Sequence, residues 1–297
     1  MAGGSAGWVV GWRGSRGGLA ISLSICVPAY NAAGTLATTM RSILDQDADF
    51  ELLVLDNAST DGTGDVARGF DDPRVRVHRN ERVLPIGDNW NRAVEISSGE
   101  LVKVVCADDI LMPGTLQAQL DLMRDDEIAL SSTKFDVIDE VGEVEDSGLG
   151  LPGLVGAQSV LSLMRAIVRH GPAEFGPTAA AMFRRRDFQR VGGFRGDLVF
   201  PMDVDLFARV CESGAFYGMP DVSAAWRNSS FNLCSRTSTV SKLTEQARFH
   251  HRLGREYPEL VARGDVIAGD LRLVRQALQR LQIRTMAILR RRPDLLR

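Results

Sequence analysis

Residues 102–113 read VKVVCADDILMP. The run Val102 to Cys106 has the apolar character of a buried strand. It ends in two adjacent carboxylates, Asp108 and Asp109, and Pro113 then opens a helix. In open α/β sheets, ligands sit beyond the C-terminal ends of the strands. Neighbouring carboxylates repel, and a divalent cation is their usual partner. Hard cations such as Mg²⁺ keep several waters and share substrate phosphates with one or two carboxylates. The competing reading is a solvated Asp-Asp turn that caps the next helix, so the flanking sequence has to decide.

Upstream, the chain alternates between strand and helix. Leu19 to Ala29 is a strand ended by Pro28, and a helix follows from Thr35 to about Gln46. Phe50 to Leu55 is a strand of continuous apolar character that ends at Asp56-Asn57, as in a parallel sheet. A short helix follows Ser59-Thr60-Asp61-Gly62-Thr63. Val75 to Val77 is a short strand, and Pro85 to Ser98 a helix stopped by Gly99. This order predicts an α/β fold: a doubly wound, mostly parallel central sheet with helices on both faces.

Downstream the pattern loosens. Helices are expected at 116–123, 157–169, 203–213, 238–257 and 264–292. Strands are expected at 128–138, 178–183 and, as one or two, 215–227. Gly142 to Gly156 reads as a surface hairpin. The last helix carries apolar residues at 267, 271, 274, 278, 281 and 288, a helical stripe. From Asp265 to Arg297 it has eight Arg against three Asp. Such a helix packs on its own domain or on a second subunit, or lies on an anionic membrane surface.

The 297 residues are 44% hydrophobic and 25% charged, ordinary for a globular protein. A net charge of −3 argues against a nucleic-acid partner, which needs a basic field. No apolar run is long enough for a membrane span. The Gly-rich residues 1–20 read as a flexible leader rather than a signal peptide. Cys26, Cys106, Cys211 and Cys234 form no CxxC pair, which fits reduced thiols in the cytoplasm.

Three strand ends carry polar residues: Tyr30-Asn31, Asp56-Asn57 and Asp108-Asp109. In a doubly wound sheet these converge on one crevice. An aromatic ring, an acid and a metal-binding pair suit a nucleoside diphosphate. Tyr30 can stack a base, Asp56 can accept from a base N–H, and a metal at Asp108 and Asp109 can bridge two phosphates. Neither a Walker A motif nor a GxGxxG fingerprint is present.

Taken in order, Val27-Pro28-Ala29-Tyr30-Asn31, Asp56-Asn57-Ala58-Ser59-Thr60-Asp61-Gly62-Thr63, Asn89 to Ala93 with Ser98-Gly99-Glu100, and Ala107-Asp108-Asp109 resemble the ordered signature of family 2 glycosyltransferases. The resemblance covers residues 22 to about 230. It implies the GT-A fold, with a nucleotide-sugar half at 21–125, an acceptor half at 126–230 and a C-terminal helical region at 231–297. It implies inverting transfer of a single sugar from a nucleoside-diphosphate donor, UDP- or dTDP-linked, assisted by Mn²⁺ or Mg²⁺. The acceptor would be a glycan, a lipid-linked molecule or a small molecule. The implied donor-site residues are Pro28, Tyr30, Asn31, Asp56, Asp61, Asn91, Arg92 and Asp108, with Asp108 and Asp109 on the metal. Phe200 to Arg209 is similar to the segment that supplies the general base, and Asp203 matches the base position, with Asp205 as its rival. Gly193 would let backbone approach the sugar. Arg184-Arg185-Arg186 would be a solvated strand end or a phosphate contact. The implied location is the cytoplasm or the inner face of its membrane, with residues 265–292 available for membrane contact or dimerisation.

The chain departs from the pattern at three points. Cys106 stands where many relatives of that family carry an acid, and Asn57 where many carry a second Asp. No His lies near Trp226-Arg227-Asn228, so Arg227 or Asn228 substitutes there or the contact is lost. A nucleotidyltransferase is disfavoured because residues 28–36, PAYNAAGTL, lack a basic residue. A catalytically weak nucleotide-sugar-binding scaffold remains the alternative.

Overall fold

The structure, a computed structural model, describes residues 22–171, 175–230 and 232–291. The leader at 1–20 lies outside these. β1 (Leu23–Ala29), α1 (Leu36–Leu44), β2 (Glu51–Asp56), α2 (Thr63–Arg68), β3 (Val75–Arg79), α3 (Ile86–Glu95) and β4 (Leu101–Val104) alternate as the sequence predicts. β1 pairs in parallel with both β2 and β4, and β2 with β3. The order β3-β2-β1-β4 winds outward from β1 and then returns to its other side. The topological switch point therefore falls between β1 and β4, and open α/β sheets place their ligand crevice at such a point, here beyond Ala29 and Val104.

Side chains alternate across a strand with period two, so each strand feeds two cores. Ile25, Val27, Leu52 and Val54 join Leu36, Met40 and Ile43 of α1 on one face. Cys26, Leu53, Leu55, Val102 and Val104 join Ala93 and Val94 of α3 on the other. Burial on both faces explains why these strands read as continuous apolar runs.

The second half comprises β5 (Ile110–Leu111), α4 (Thr115–Leu122), β6 (Ile128–Ile138), β7 (Val144–Leu149), β8 (Gly156–Gln158), α5 (Val160–His170), β9 (Met182–Arg184), α6 (Arg185–Arg190), α7 (Met202–Val210), β10 (Ala215–Arg227), α8 (Leu233–Arg236), α9 (Thr239–Glu256) and α10 (Arg263–Arg291). The sheet continues from β4 as β9-β6-β10-β5. β9 runs antiparallel to both β4 and β6, so the parallel character holds for the first four strands and the rest is mixed. The segment 142–156 is not a hairpin on itself: β7 pairs antiparallel with β6, and the chain beyond it turns inward, with Leu151 and Leu154 buried in the core.

Several expectations are corrected. Pro113 does not open α4, which starts at Thr115 after Gly114 at φ +76°. Ile110 and Leu111 instead pair with β10. Thr178 to Ala180 form a 3-10 turn, and the strand starts only at Met182. The carbonyls of Ala180 and Ala181 are taken by Gln119 (3.0 Å) and Lys103 (3.2 Å), which leaves no ladder for them to join. Arg184 and Arg185 are neither a solvated end nor open to phosphate. Arg184 donates to the carbonyls of Ile128, Met123 and Asp125, and Arg185 to those of Gly99 and Val94.

The stripe on α10 does not pack on the domain. Ile267, Leu271, Val274 and Leu278 are all exposed, while Val266 and Leu273 are buried. The helix is held by its other face. Asp265 pairs with Arg169, and a Cβ on Gly269 would come within 2.5 Å of the Val168 carbonyl. The side chains at 281 and 288 lie outside the described ones. Among the described residues, no helix is long and apolar enough to cross a membrane.

Candidate active site

The ends of β1 and β2 are laced together. Asn31 sits at φ +49°. Its N–H donates to Ser59 Oγ (3.0 Å), and its Oδ1 accepts from the Thr60 N–H (2.9 Å). Asp61 accepts from the Ala33 N–H (3.0 Å) and from the N–H and hydroxyl of Thr63. Partial burial pushes this acid up, but those hydrogen bonds outweigh it and hold Asp61 below the usual carboxylate range. Both residues shape the crevice wall here. Pro28 is buried within β1 opposite Leu55. Tyr30, at the end of β1, is half exposed and available for stacking.

Asp56 is fully buried. One carboxylate oxygen accepts from the Ser59 N–H at 2.9 Å, and the other pairs with Arg79. A base reaches Asp56 in this structure only if Arg79 gives way. The sequence reading stopped the third strand at Val77 and so missed Arg79. The signal was register: β3 runs on to Arg79, directly opposite Asp56. Arg79 keeps nearly half of its side chain exposed toward solvent.

The carboxylates of β4 lie deeper. Asp109 is fully buried. Its Oδ1 accepts from the Arg227 N–H at 3.3 Å, and its Oδ2 has no partner. Burial, and then the charge of Asp108, push the Asp109 acid well above its ordinary range. Burial also raises Asp108, against the pull of Arg227. Cys106 Sγ and the carboxylates of Asp108 and Asp109 offer ligand atoms all within 4.8 Å of one another. A buried acid with an orphaned oxygen is costly unless a cation satisfies it. The donor set fits a divalent ion, with two hard oxygens and one softer sulfur. Arg227 cannot reach out as a substitute for a His. Its Nε donates to the Asp108 carbonyl (3.1 Å) and its Nη1 to the carbonyls of Asp139 and Glu140. Asn228 turns to Glu145 on β7 (2.9 Å).

Asp203 opens α7. Its Oδ1 accepts from the Val204 N–H at 2.8 Å, and burial pushes the acid up to about 6. It shares the crevice with the β4 acids. The Cys106 thiol is raised by burial, by Asp109 and Asp108, and also by Asp203. Cys234, on α8, is raised by burial and then by Asp203, Asp108 and Asp109, which brings a further side chain to the crevice that the sequence reading did not include. Asp205 faces elsewhere. It pairs with Arg209 at 2.7 Å, both almost fully buried, and Arg209 holds the carbonyls of Val191 and Gly193.

Asn91 does not reach the crevice through its amide. That group bonds the Phe194 backbone twice, accepting at 2.7 Å and donating at 3.0 Å. Gly193 serves the same contact. At φ +73°, a Cβ there would come within 2.5 Å of Asn91 Oδ1, so its small size makes room for Asn91 rather than for a sugar. Arg92 is exposed on α3. Lys103, unremarked in the sequence reading, is fully buried in β4 and donates to Gln119 Oε1 at 2.7 Å. Burial lowers its pKa to about 7.

The family model described as "Glycosyl transferase family 2" matches residues 24–192. The succinoglycan biosynthesis protein ExoU of Rhizobium meliloti is 31% identical over 240 residues, covering 75% of this chain and 68% of ExoU. WfgD of Escherichia coli, named as a UDP-Glc:alpha-D-GlcNAc-diphosphoundecaprenol beta-1,3-glucosyltransferase, is 31% identical over 117 residues, 39% of this chain and 46% of WfgD. An uncharacterized Mycobacterium tuberculosis protein is 32% identical over 205 residues, 67% of this chain and 64% of that protein. The chain thus spans between about half and two thirds of several of these relatives. Among solved structures, S. aureus TarS with UDP-GlcNAc aligns over 79% of this chain and 67% of its own at a TM-score of 0.62 and 16% identity. The Pyrobaculum calidifontis mannosyltransferase PcManGT, with GDP-Man and Mn²⁺, aligns over 91% and 81% at 0.58 and 17%. These two share the fold. With the family model covering residues 24–192, and with ExoU 31% identical over 75% of this chain, the chain belongs to glycosyl transferase family 2.

Proposed function

We propose that this protein is an inverting glycosyltransferase that moves one sugar from a nucleoside-diphosphate donor to an acceptor hydroxyl. The observation that carries this reading is the crevice itself. Half-buried Asp108 and fully buried Asp109, the latter with an unpartnered oxygen, share it with Asp203, a carboxylate raised to about 6. Tyr30 stacks the base, and Arg79 offers donors beside Asp56. A divalent ion, Mn²⁺ or Mg²⁺, would be held by Asp108 and Asp109 with Cys106 beside them, and when bound it supplies charge for the departing diphosphate. Asp203 takes the proton of the acceptor hydroxyl as that oxygen attacks the anomeric carbon. The bond from that carbon to the diphosphate oxygen breaks, and the configuration inverts. A carboxylate poised near 6 is ionised at neutral pH yet basic enough to accept the proton.

For the donor, UDP- and dTDP-linked sugars are the first candidates; the UDP-GlcNAc complex of TarS supports the former. For the acceptor, the name of WfgD supports a lipid-linked glycan of the kind used in cell-envelope and exopolysaccharide synthesis. This reading puts the enzyme at the cytoplasmic face of a membrane. Cys106, in place of an acid, motivates the second reading, a scaffold that binds donor without turnover.

The test is transfer from a panel of nucleotide sugars to lipid-linked and soluble acceptors. Asp203→Asn should bind donor as the wild type does and lose about 10²-fold or more in rate, the scale of general-base catalysis. An unchanged rate removes Asp203 from the chemistry. Donor binding without turnover on any acceptor favours the scaffold.

A further inference from the structure

α9 turns three arginines and a histidine to one side. Arg248, His251, Arg252 and Arg255 fall at spacings of three, one and three, which places them along one helix face. With Ala247 and the buried Leu198 they line an open groove of about 580 Å³, in which Asp197 is the single acid. That volume suits a small ligand.

The charge in this groove is unbalanced. Arg252 is engaged by both carboxylate oxygens of Asp197. His251 pairs with Asp270 at 2.9 Å. The two acids of α9 are turned to other partners: Glu245 accepts from the Phe200 N–H at 2.7 Å, and Glu256 pairs with Arg195 at 2.8 Å. Arg248 and Arg255 are exposed and have no hydrogen-bond or ion-pair partner among the described residues. Arg248 and Arg252 stand four residues apart, and Arg252 and Arg255 three, spacings at which like charges on a helix repel. The helix dipole favours Arg255 in the last turn, but Arg248 lies in mid-helix, beyond its reach.

We propose that this groove binds a phosphate-bearing anion between Arg248 and Arg255. Seven residues apart, these two stand two turns, or about 10 Å, along the helix, and their long side chains converge on a group seated between them. A guanidinium presents its N–H donors in a planar fork that matches phosphate oxygens. Three arginines less Asp197 leave two positive charges, which a diphosphate neutralises and a single carboxylate does not.

The position of the groove gives the anion a purpose. Asp197 and Leu198 line it, Phe200 is tied to Glu245, and Asp203 follows three residues on. The chain from Asp197 to Asp203 spans at most about 20 Å. Lys242, earlier on α9, stands over the Phe200 ring at 5.6 Å, and its charge is felt by Cys234 at the crevice. Cations thus continue from the groove toward the acids. An acceptor that carries a diphosphate has its charged group in the groove while a sugar hydroxyl reaches Asp203; this last step rests on the transferase reading, and anion binding itself does not.

The test is calorimetric titration of the full chain with inorganic pyrophosphate in EDTA, so that no metal carries the probe to Asp108 and Asp109. Binding should weaken as salt rises. Arg248→Gln with Arg255→Gln should reduce affinity by about tenfold or more. Asp197→Asn should raise it, because Arg252 is then released to the anion. No binding by the wild type, unchanged affinity in the double variant, or weaker binding by Asp197→Asn overturns the proposal. Transfer to a diphosphate-bearing acceptor and to the same glycan without that group separates the two sources of the anion. A KM raised in the double variant for the first acceptor alone makes the groove an acceptor subsite. A KM unchanged for both, with pyrophosphate binding lost, makes it a site for free anion. The metal-dependent thermal shift with donor should match the wild type, which separates loss of the groove from failure of the transferase reading.

Discussion

Asp203 and Asp205 stand two residues apart on α7 and do different work. Asp205 is locked to buried Arg209, which grips the turn at Val191 to Gly193. Breaking a buried ion pair from one side leaves the other charge uncompensated. Asp205→Asn should therefore cost roughly 3 kcal/mol of stability or more, read by denaturant unfolding. Asp203→Asn should leave stability nearly unchanged. Asp203 acts as a base only when ionised. Burial puts its pKa at about 6, so kcat/KM should fall as pH drops through 6 and level off above it. A profile without that limb would contradict its role. Much of this scale was legible in the sequence. Asp108 and Asp109 were legible as a pair, and their carboxylates lie with Cys106 Sγ within 4.8 Å of one another. Arg79 and Lys103 were not, because each acts through a neighbour in another strand or helix. Asn91 was misread for the same reason: an amide on a helix does not announce that its partner is the backbone of Phe194, 103 residues on.

At the scale of elements, β4 carries a fully buried amine into the centre of the sheet. Lys103 reaches Gln119 on α4 and the carbonyl of Ala181, without a carboxylate partner. Its folded pKa of about 7 lies below the unfolded value near 10.4. Between these values the unfolded chain binds more protons, so stability rises with pH. From about pH 7 to 8.5 the gain should approach 1.4 kcal/mol per unit and be absent from Lys103→Met. Identical pH dependence in the two proteins would refute this account of β4. The first four strands and their helices were legible because double burial writes itself as continuous apolar runs. The region around 178–190 was not. Its 3-10 turn and α6 are set by tertiary hydrogen bonds from Gln119, Lys103 and the arginines, which local propensity does not encode.

The whole molecule combines one continuous sheet, a crevice at its switch point, and two C-terminal helices that leave an aliphatic face outside. The α/β class followed from element order alone. The orientation of α10 did not, since a periodic stripe says only that a helix has two faces, and burial of Asp265 and Gly269 selects which one turns inward. The central claim is that Asp108 and Asp109 hold a cation which completes a nucleotide-sugar site. Ligand that binds only the native state raises the melting temperature by mass action. The decisive measurement is the thermal shift of the full chain with nucleoside diphosphates and nucleotide sugars, with and without Mn²⁺. The account predicts a shift for one nucleotide that requires the metal and disappears in Asp108→Ala. A shift of equal size without metal, or one that survives Asp108→Ala, would contradict it.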